Sequence, residues 1–186
     1  MRTRLTIAYS ILICASSFSQ SRFPAVDKSG MDLSYHPANY PILKIQNKTN
    51  EPPLARVLYS RPQKNFRTIF GELVEYGKIW RLGANEATEI EFFKDVKIAD
   101  TKVRKGRYTI YAIPETDKWT IILNRDNDTW GAFKYDSKRD VLRTDVRPEK
   151  NAEIVEHFTM LFETSNGVTN LVIAWDNMQA KLAIAF

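Results

Sequence analysis

The thirteen-residue run YGKIWRLGANEAT, Tyr76 to Thr88, gathers side chains suited to binding. Tyr76 and Trp80 offer flat apolar faces. Arg81 offers a planar fork of donors for carboxylate, phosphate or sugar hydroxyls. Asn85 supplies a donor and an acceptor together, and Glu86 a carboxylate. Gly77 and Gly83 permit backbone turns that other residues resist. Aromatic faces beside planar polar groups hold sugar rings, so the run is expected to form a binding loop for a small polar ligand or glycan. The same residues fit a second arrangement, in which Arg81 and Glu86 pair with each other, pin a long connection, and leave Trp80 to fill the core.

Other residue types with chemical potential are less well organised. Glu86 and Glu89 stand three apart, and Asp126 and Asp128 two apart. Glycoside hydrolysis needs two carboxyls across a cleft, which spacing alone does not place, so a carboxylate-dependent hydrolase stands as one alternative to a binding module, and a structural envelope protein, with the polar run as internal scaffolding, as another. Asn124, Asp126 and Asp128 resemble the start of a calcium loop. Thr129 stands where its glycine belongs, however, and Tyr135 where its bidentate Glu belongs, which favours an acidic turn. His36 and His157 lack metal-ligand spacing, and no H-E-x-x-H, C-x-x-C or G-x-S-x-G occurs. No metal, cofactor or catalytic residue is therefore assigned. Among Trp119, Trp130, Phe133, Tyr135 and Trp175, most are expected in the core. Trp130 precedes a glycine and follows a polar turn, which suits it to a loop rim beside the binding run.

The elements that must position these residues are short and β-rich. Leu54–Ser60, Glu89–Phe93, Arg107–Ile113, Trp119–Asn124, Val141–Val146, Val155–Phe162, Asn170–Trp175 and Ala180–Phe186 are β-branched or aromatic runs, several of them alternating. Turn residues divide them at Lys105-Gly106, Pro114 to Asp117, Asp126 to Asp128, Asn166-Gly167 and Asp176-Asn177. The pattern predicts an all-β antiparallel sandwich, or a partly open barrel, over residues 54–186. Helix signals are thin, with single turns expected near Glu149–His157 and Leu73–Ile79. Residues 20–53, rich in proline and small polar residues, are expected to form an irregular N-terminal arm whose Phe23, Tyr35 and Tyr40 have the option of lying against the domain.

The first nineteen residues have the order of a signal peptide. Arg2 and Arg4 precede the apolar stretch Leu5–Ala15, and Ser17 and Ser19 occupy the small positions before a cut at Gln20. The stretch is shorter than the roughly 20 residues that span a bilayer. An exported protein, periplasmic or extracellular and without stable membrane insertion after cleavage, is therefore expected. Ile13 stands where lipid-anchor processing takes a small residue, which disfavours a lipidated Cys14. Cleavage removes the only cysteine, so the remaining 167 residues would fold without a disulfide, and it lowers the net charge from +5 to +3. Basic residues are interleaved with acids along the chain, and no basic block or nucleic-acid module appears, so no nucleic-acid partner is expected. The oligomeric state is left open.

Several separated blocks carry a resemblance. YSRP at Tyr59–Pro62, IFGELVEYGKIWRLGANEATEIEFFKDVKI at Ile69–Ile98, KGRYTIYAIP at Lys105–Pro114, WTIILNRD at Trp119–Asp126, WGAFKYD at Trp130–Asp136 and VLR at Val141–Arg143 occur in that order. Together they resemble the exported bacterial domain of unknown function 2911 family, from about Leu54 to the C-terminus. The resemblance implies an exported, mostly β domain and no established reaction. It also implies a glycine-containing turn before the Arg67-x-Ile69-Phe70-Gly71 block, where this chain has Asn65-Phe66.

Overall fold

A computed structural model describes residues 23–186 of the chain. The expected signal segment, with Cys14, lies outside the described residues.

Ten strands form two antiparallel sheets that are not closed into a barrel, so the fold is an all-β sandwich. They are β1 (Met31–His36), β2 (Ala55–Ser60), β3 (Glu89–Phe92), β4 (Val96–Ile98), β5 (Thr101–Val103), β6 (Gly106–Pro114), β7 (Trp119–Asn124), β8 (Asp140–Val146), β9 (Glu149–Ser165) and β10 (Val168–Ala185). One sheet has the order β1-β2-β3-β6-β7-β8 and the other β5-β4-β10-β9. The inner faces follow the two-residue period of a strand. Val57 and Tyr59 on β2, Ile110 and Ala112 on β6, and Ile121 and Leu123 on β7 meet Phe158, Met160 and Phe162 of β9 in one core. The outer face of β6 and β7 is also covered. Tyr111 and Ile122 pack there with Ala87, Ile79 and Tyr135, under the connections on either side of Trp80 and Trp130.

Turn chemistry sets the longest hairpin. Ser165 pairs with Val168, and the two residues between, Asn166 and Gly167, have φ of 51° and 77°. Positive φ at both central positions is the signature of a type I′ turn, and Asn-Gly is its favoured sequence. Asp176-Asn177, expected as a turn between two strands, lies instead inside β10. Register shifts flank Asp176, whose φ is 54°. This bulge changes which residues face inward: Leu171, Ile173 and Trp175 before it, Ala180, Leu182 and Ile184 after it. A strict two-residue period would have turned one of those sets to solvent. The apolar C-terminal tail is thus a core strand, with Ile184 opposite Ile98 of β4.

Other differences have local causes. Glu149–His157 is the first half of β9, because β10 offers it a ladder and it has no apolar helical face. Leu73–Ile79 forms turns. The arm contributes β1, which pairs along β2, and a short helix α1 (Tyr40–Ile45). Tyr40 is buried there, with its ring 5.7 Å from that of Tyr35.

Candidate functional site: a loop-end cavity at Arg81

The binding run occupies a place left free on β6. Strand β3 pairs with β6 only as far as Thr109. Beyond that point the run itself supplies the partners. Thr88 O accepts from Ile110 N at 2.9 Å, Trp80 and Ala112 exchange hydrogen bonds of 2.7 and 2.9 Å, and Gly77 N donates to Pro114 O at 2.9 Å. Between Trp80 and Thr88 the chain must bulge away from the sheet, and Arg81 to Ala87 form that bulge. It is clamped from inside. The buried Ser60 hydroxyl donates to Ala84 O at 2.7 Å and accepts from Ala84 N at 2.6 Å. Thr88 donates its hydroxyl to Leu82 O and its N–H to Arg81 O. Gly83, at φ 141°, passes so close to Ser60 that a Cβ there would stand 2.5 Å from the Ser60 Oγ. Only glycine fits that position.

Trp80 fixes the direction of the run. Its indole is buried among Phe70, Trp119, Phe158 and Trp175, with ring centroids 5.3 to 6.2 Å away. The next residue, Arg81, reaches a cavity of about 250 Å³. Arg81 and Arg67 are its charged lining residues, and Trp80, Trp175, Leu73 and Val74 contribute apolar wall. Ser29 from the arm closes one side. No carboxylate lines it.

Arg81 lacks the partners that a buried guanidinium normally has. Its Nε is sealed from solvent and makes no hydrogen bond. Among the described residues it has no ion pair. Burial lowers its pKa from the ordinary arginine value. Glu86 is not its counter-ion: that residue is exposed and lies opposite Trp130 in a backbone bridge. Of the two arrangements open to the run, the internal Arg81–Glu86 pair is therefore not the one formed.

The remaining expected site residues lie apart from the cavity. Asn85, Glu86 and Ala87 are zipped to Thr129–Gly131 through Ala87 N to Thr129 O and Gly131 N to Asn85 O, both 2.9 Å. Trp130 is 61% exposed beside them. Asn85 acts on the cavity indirectly. Its Nδ2 donates to Asp27 Oδ2 at 3.0 Å, while Asp27 Oδ1 accepts from Ser29 N at 2.6 Å. That chain of contacts holds Ser29 against the opening. Tyr76 packs its ring over Gly71, 3.1 Å from where a Cβ would stand. The structure thus brings Trp80 and Arg81 together at the cavity, groups Asn85, Glu86 and Trp130 beside it, and leaves Tyr76 elsewhere.

Arg67, Ser29 and Trp175 were not expected at the site. Arg67 follows a turn whose central residues, Asn65 and Phe66, have φ of 49° and 59°. Arg67 N closes the turn on Lys64 O at 3.1 Å. This is again the type I′ signature, so Phe66 occupies a position that glycine favours. The Asn65-Phe66 departure from the family pattern was the available signal. The turn is anchored on β9 by Lys64 N to Glu156 O at 2.7 Å and Asn65 N to Glu156 Oε1 at 2.8 Å. Arg67 spends its Nε on Lys64 O at 2.9 Å and one Nη on Gln63 O. Both acceptors are neutral, and Arg67 is exposed to solvent with no ion pair among the described residues.

Neighbouring charges behave differently. In a second cavity of similar size, over β2, β3 and β6, Arg56 pairs with Glu91 at 2.7 Å and Arg107 with Glu89 at 3.3 Å. Asp126 pairs with Arg139 and Asp128 with Arg107. The acids considered for hydrolysis are thus tied to arginines, Glu86 excepted. Among the described residues no cluster of His, Cys, Asp and Glu is arranged to hold a metal ion.

The molecule is therefore a β-sandwich with a cationic cavity at one loop end. The family model described as a protein of unknown function (DUF2911) matches residues 43–184, from within α1 to the end of the core strands, and the chain belongs to that family. No curated protein and no solved structure matched the chain.

Two substitutions check this account. Left-handed backbone disfavours a residue with a Cβ by about 1 kcal/mol or more, and the fully exposed Phe66 has no packing to lose. Phe66→Gly should raise the unfolding free energy by about 0.5–1 kcal/mol, seen as a higher urea midpoint at constant slope. A lower midpoint would show that the turn does not need the left-handed conformation. Arg81→Met should also stabilise the ligand-free protein modestly, because it removes a half-buried charge that has no ion pair among the described residues. A comparable loss of stability in chemical denaturation would mean that Arg81 serves the fold.

Proposed function

We propose that this chain is an exported, non-catalytic domain that binds a small polar ligand, sugars included, in the cavity beside Arg81. One observation carries the reading: the half-buried Arg81 lines a cavity, and among the described residues its charge has no ion pair and its Nε no hydrogen-bond partner. A half-buried charge without a partner loses part of its hydration, a cost that is avoided by pairing or exposing the group. A ligand that accepts from Arg81 offsets it. Supporting features are the core-packed Trp80 and Trp175 among the lining residues and the clamp at Ser60 and Thr88 that holds the loop. A preformed site of this kind binds without first ordering a loop. The non-catalytic part rests on the lining residues, which include no carboxylate, imidazole or thiol. Export rests on the basic, apolar and small-residue order of residues 1–19.

Because two tryptophans line the cavity, occupancy should change intrinsic fluorescence. A panel of small sugars and polar metabolites is expected to yield a saturable change that is lost in a folded Arg81→Gln variant. Binding that survives that substitution would remove the cavity as the site. For export, cell fractionation should find the full-length chain outside the cytoplasm and a chain lacking residues 1–19 inside it. Equal distribution of the two would refute the signal assignment.

A further inference from the structure

Strands β1 and β8 stand at the edges of one sheet, β5 and β9 at the edges of the other. An edge strand offers its outward N–H and C=O groups to any strand that reaches it, and folds ordinarily blunt that risk. Three of these edges are blunted. Gly30 O accepts from Arg61 N at 3.0 Å, so β1 turns Leu33 outward, and the Leu33 N–H is capped by Asp32 Oδ1 at 2.7 Å. Strand β8 carries Asp140, Arg143 and Asp145. Strand β5 is only three residues long, with Lys102 at its centre.

Strand β9 differs. Its first half is charged, with Glu149, Lys150, Glu153 and Glu156. Its second half is not protected in that way. Phe158 N donates to Pro62 O at 2.9 Å and Met160 O accepts from Ser34 Oγ at 2.7 Å, so Phe158 and Met160 face away from β10. The register with β10 runs without a shift from Thr159 to Ser165, so Phe162 and Thr164 face away as well. Among the described residues nothing pairs with the backbone N–H or C=O of Phe162 or Thr164, or with the N–H of Met160. This open stretch has definite ends. Residues 61–64 cover β9 before it, through Arg61 Nε to Phe158 O at 3.3 Å and Lys64 N to Glu156 O at 2.7 Å. The Asn166-Gly167 turn closes it after Ser165. Its surroundings are apolar. Leu161 is 43% exposed, and a cavity of about 400 Å³ beside it is lined by Leu33, Pro41 and Ile42, with no charged residue in its wall.

A row of open amides and carbonyls is met in full by another strand edge. The open stretch is its own complement. Antiparallel pairing about a two-fold axis at Phe162 lets the two copies of Phe162 exchange N–H···O=C bonds and sets Met160 against Thr164 of the second copy. A carbonyl has two lone pairs, so Met160 O accepts from Thr164 N beside its bond from Ser34. Charge selects this register over its neighbour. With the axis at Phe162, Leu161 stands opposite Glu163 of the second copy and diagonal to Leu161 of that copy, which lets the two exposed leucines meet. With the axis moved one residue to Glu163, the two Glu163 carboxylates would face each other, which like charges disfavour.

We infer that this chain forms a two-fold dimer through the open edge of β9, with Phe162 at the axis and the four-stranded sheets of the two copies joined into one.

The test uses the purified protein in sedimentation velocity from about 1 μM to about 1 mM, the range for a small and weak interface. The mass should rise toward that of a dimer. The Phe162 and Thr164 amides should gain protection from hydrogen exchange in step with it. Leu161→Glu sets like charges together on both sides of the axis and should weaken the dimer about tenfold. Leu161→Lys, at the same exposed position, meets Glu163 with the opposite sign and should not weaken it. Thr164→Pro removes an outward donor and leaves the ladder with β10 intact, so it should abolish the dimer in a protein that still unfolds cooperatively in urea. A synthetic peptide of residues 159–165 should compete with the dimer. A monomer over the whole range would overturn the inference, and one that binds the peptide would assign the edge to a foreign strand instead. Slow exchange of both amides in the monomer would also overturn it, since the chain itself would then cover the edge. Equal weakening by Leu161→Glu and Leu161→Lys would overturn the register at Phe162. A dimer that survives both Leu161→Glu and Thr164→Pro would lie on another surface and overturn the assignment to β9.

Discussion

Trp80 is held twice. Its backbone exchanges two hydrogen bonds with Ala112 on β6, and its indole is enclosed by Phe70, Trp119, Phe158 and Trp175. The first set of contacts ties the run to one sheet. The second ties it to the other, since Phe158 and Trp175 belong to β9 and β10. A loop docked to one sheet alone would be free to move with solvent. This one is a strut between the two sheets, and the next residue cannot relax away from the cavity. The position of Arg81 is thus a consequence of core packing.

The bulge at Asp176 and the turn at Asn65-Phe66 complete that frame from the opposite sheet. Parity switching in β10 puts Trp175 inward on one side of the bulge and Ala180, Leu182 and Ile184 inward on the other. Asp176 itself reaches Lys64 at 3.8 Å, next to the turn that carries Arg67. Trp175 donates its indole N–H to Glu156 O at 3.3 Å, the carbonyl that also accepts from Lys64 N. Indole, turn and bulge are therefore one mechanical unit, and displacing any member shifts the cavity wall.

Much of the fold was legible because its signals are local. Alternation and turn chemistry placed β7 at its observed bounds and put Asn166-Gly167 at the hairpin tip. The three-residue strands β4 and β5 are too short to show a period, and β1 lies in a proline-rich stretch whose composition hides it. Asp176-Asn177 misled because the residues that favour turns also tolerate the left-handed conformation of a bulge. The site divides in the same way. Trp80 and Arg81 stood out by residue type within one run. Ser29, Arg67 and Trp175 come from distant parts of the chain and meet only through sheet packing, which no local pattern encodes.

Why the chain keeps Arg81 unpaired is an energetic question. A glutamate sits only five residues on, and the loop that carries it is pinned to Thr129–Gly131 so that its carboxylate faces solvent. The fold thus spends backbone hydrogen bonds holding the obvious counter-ion away. Elsewhere Arg56, Arg61, Arg107, Arg139 and Arg143 have acidic partners, while Arg67, Arg104 and Arg125, like Arg81, have no ion pair among the described residues. An arrangement that stabilised the folded state alone would either pair Arg81 or replace it with an apolar residue of similar volume. Keeping it charged and half-buried beside a cavity costs part of its hydration without a compensating partner among the described residues. Such local conflict with the rules followed by the rest of a structure is characteristic of sites shaped by an external partner.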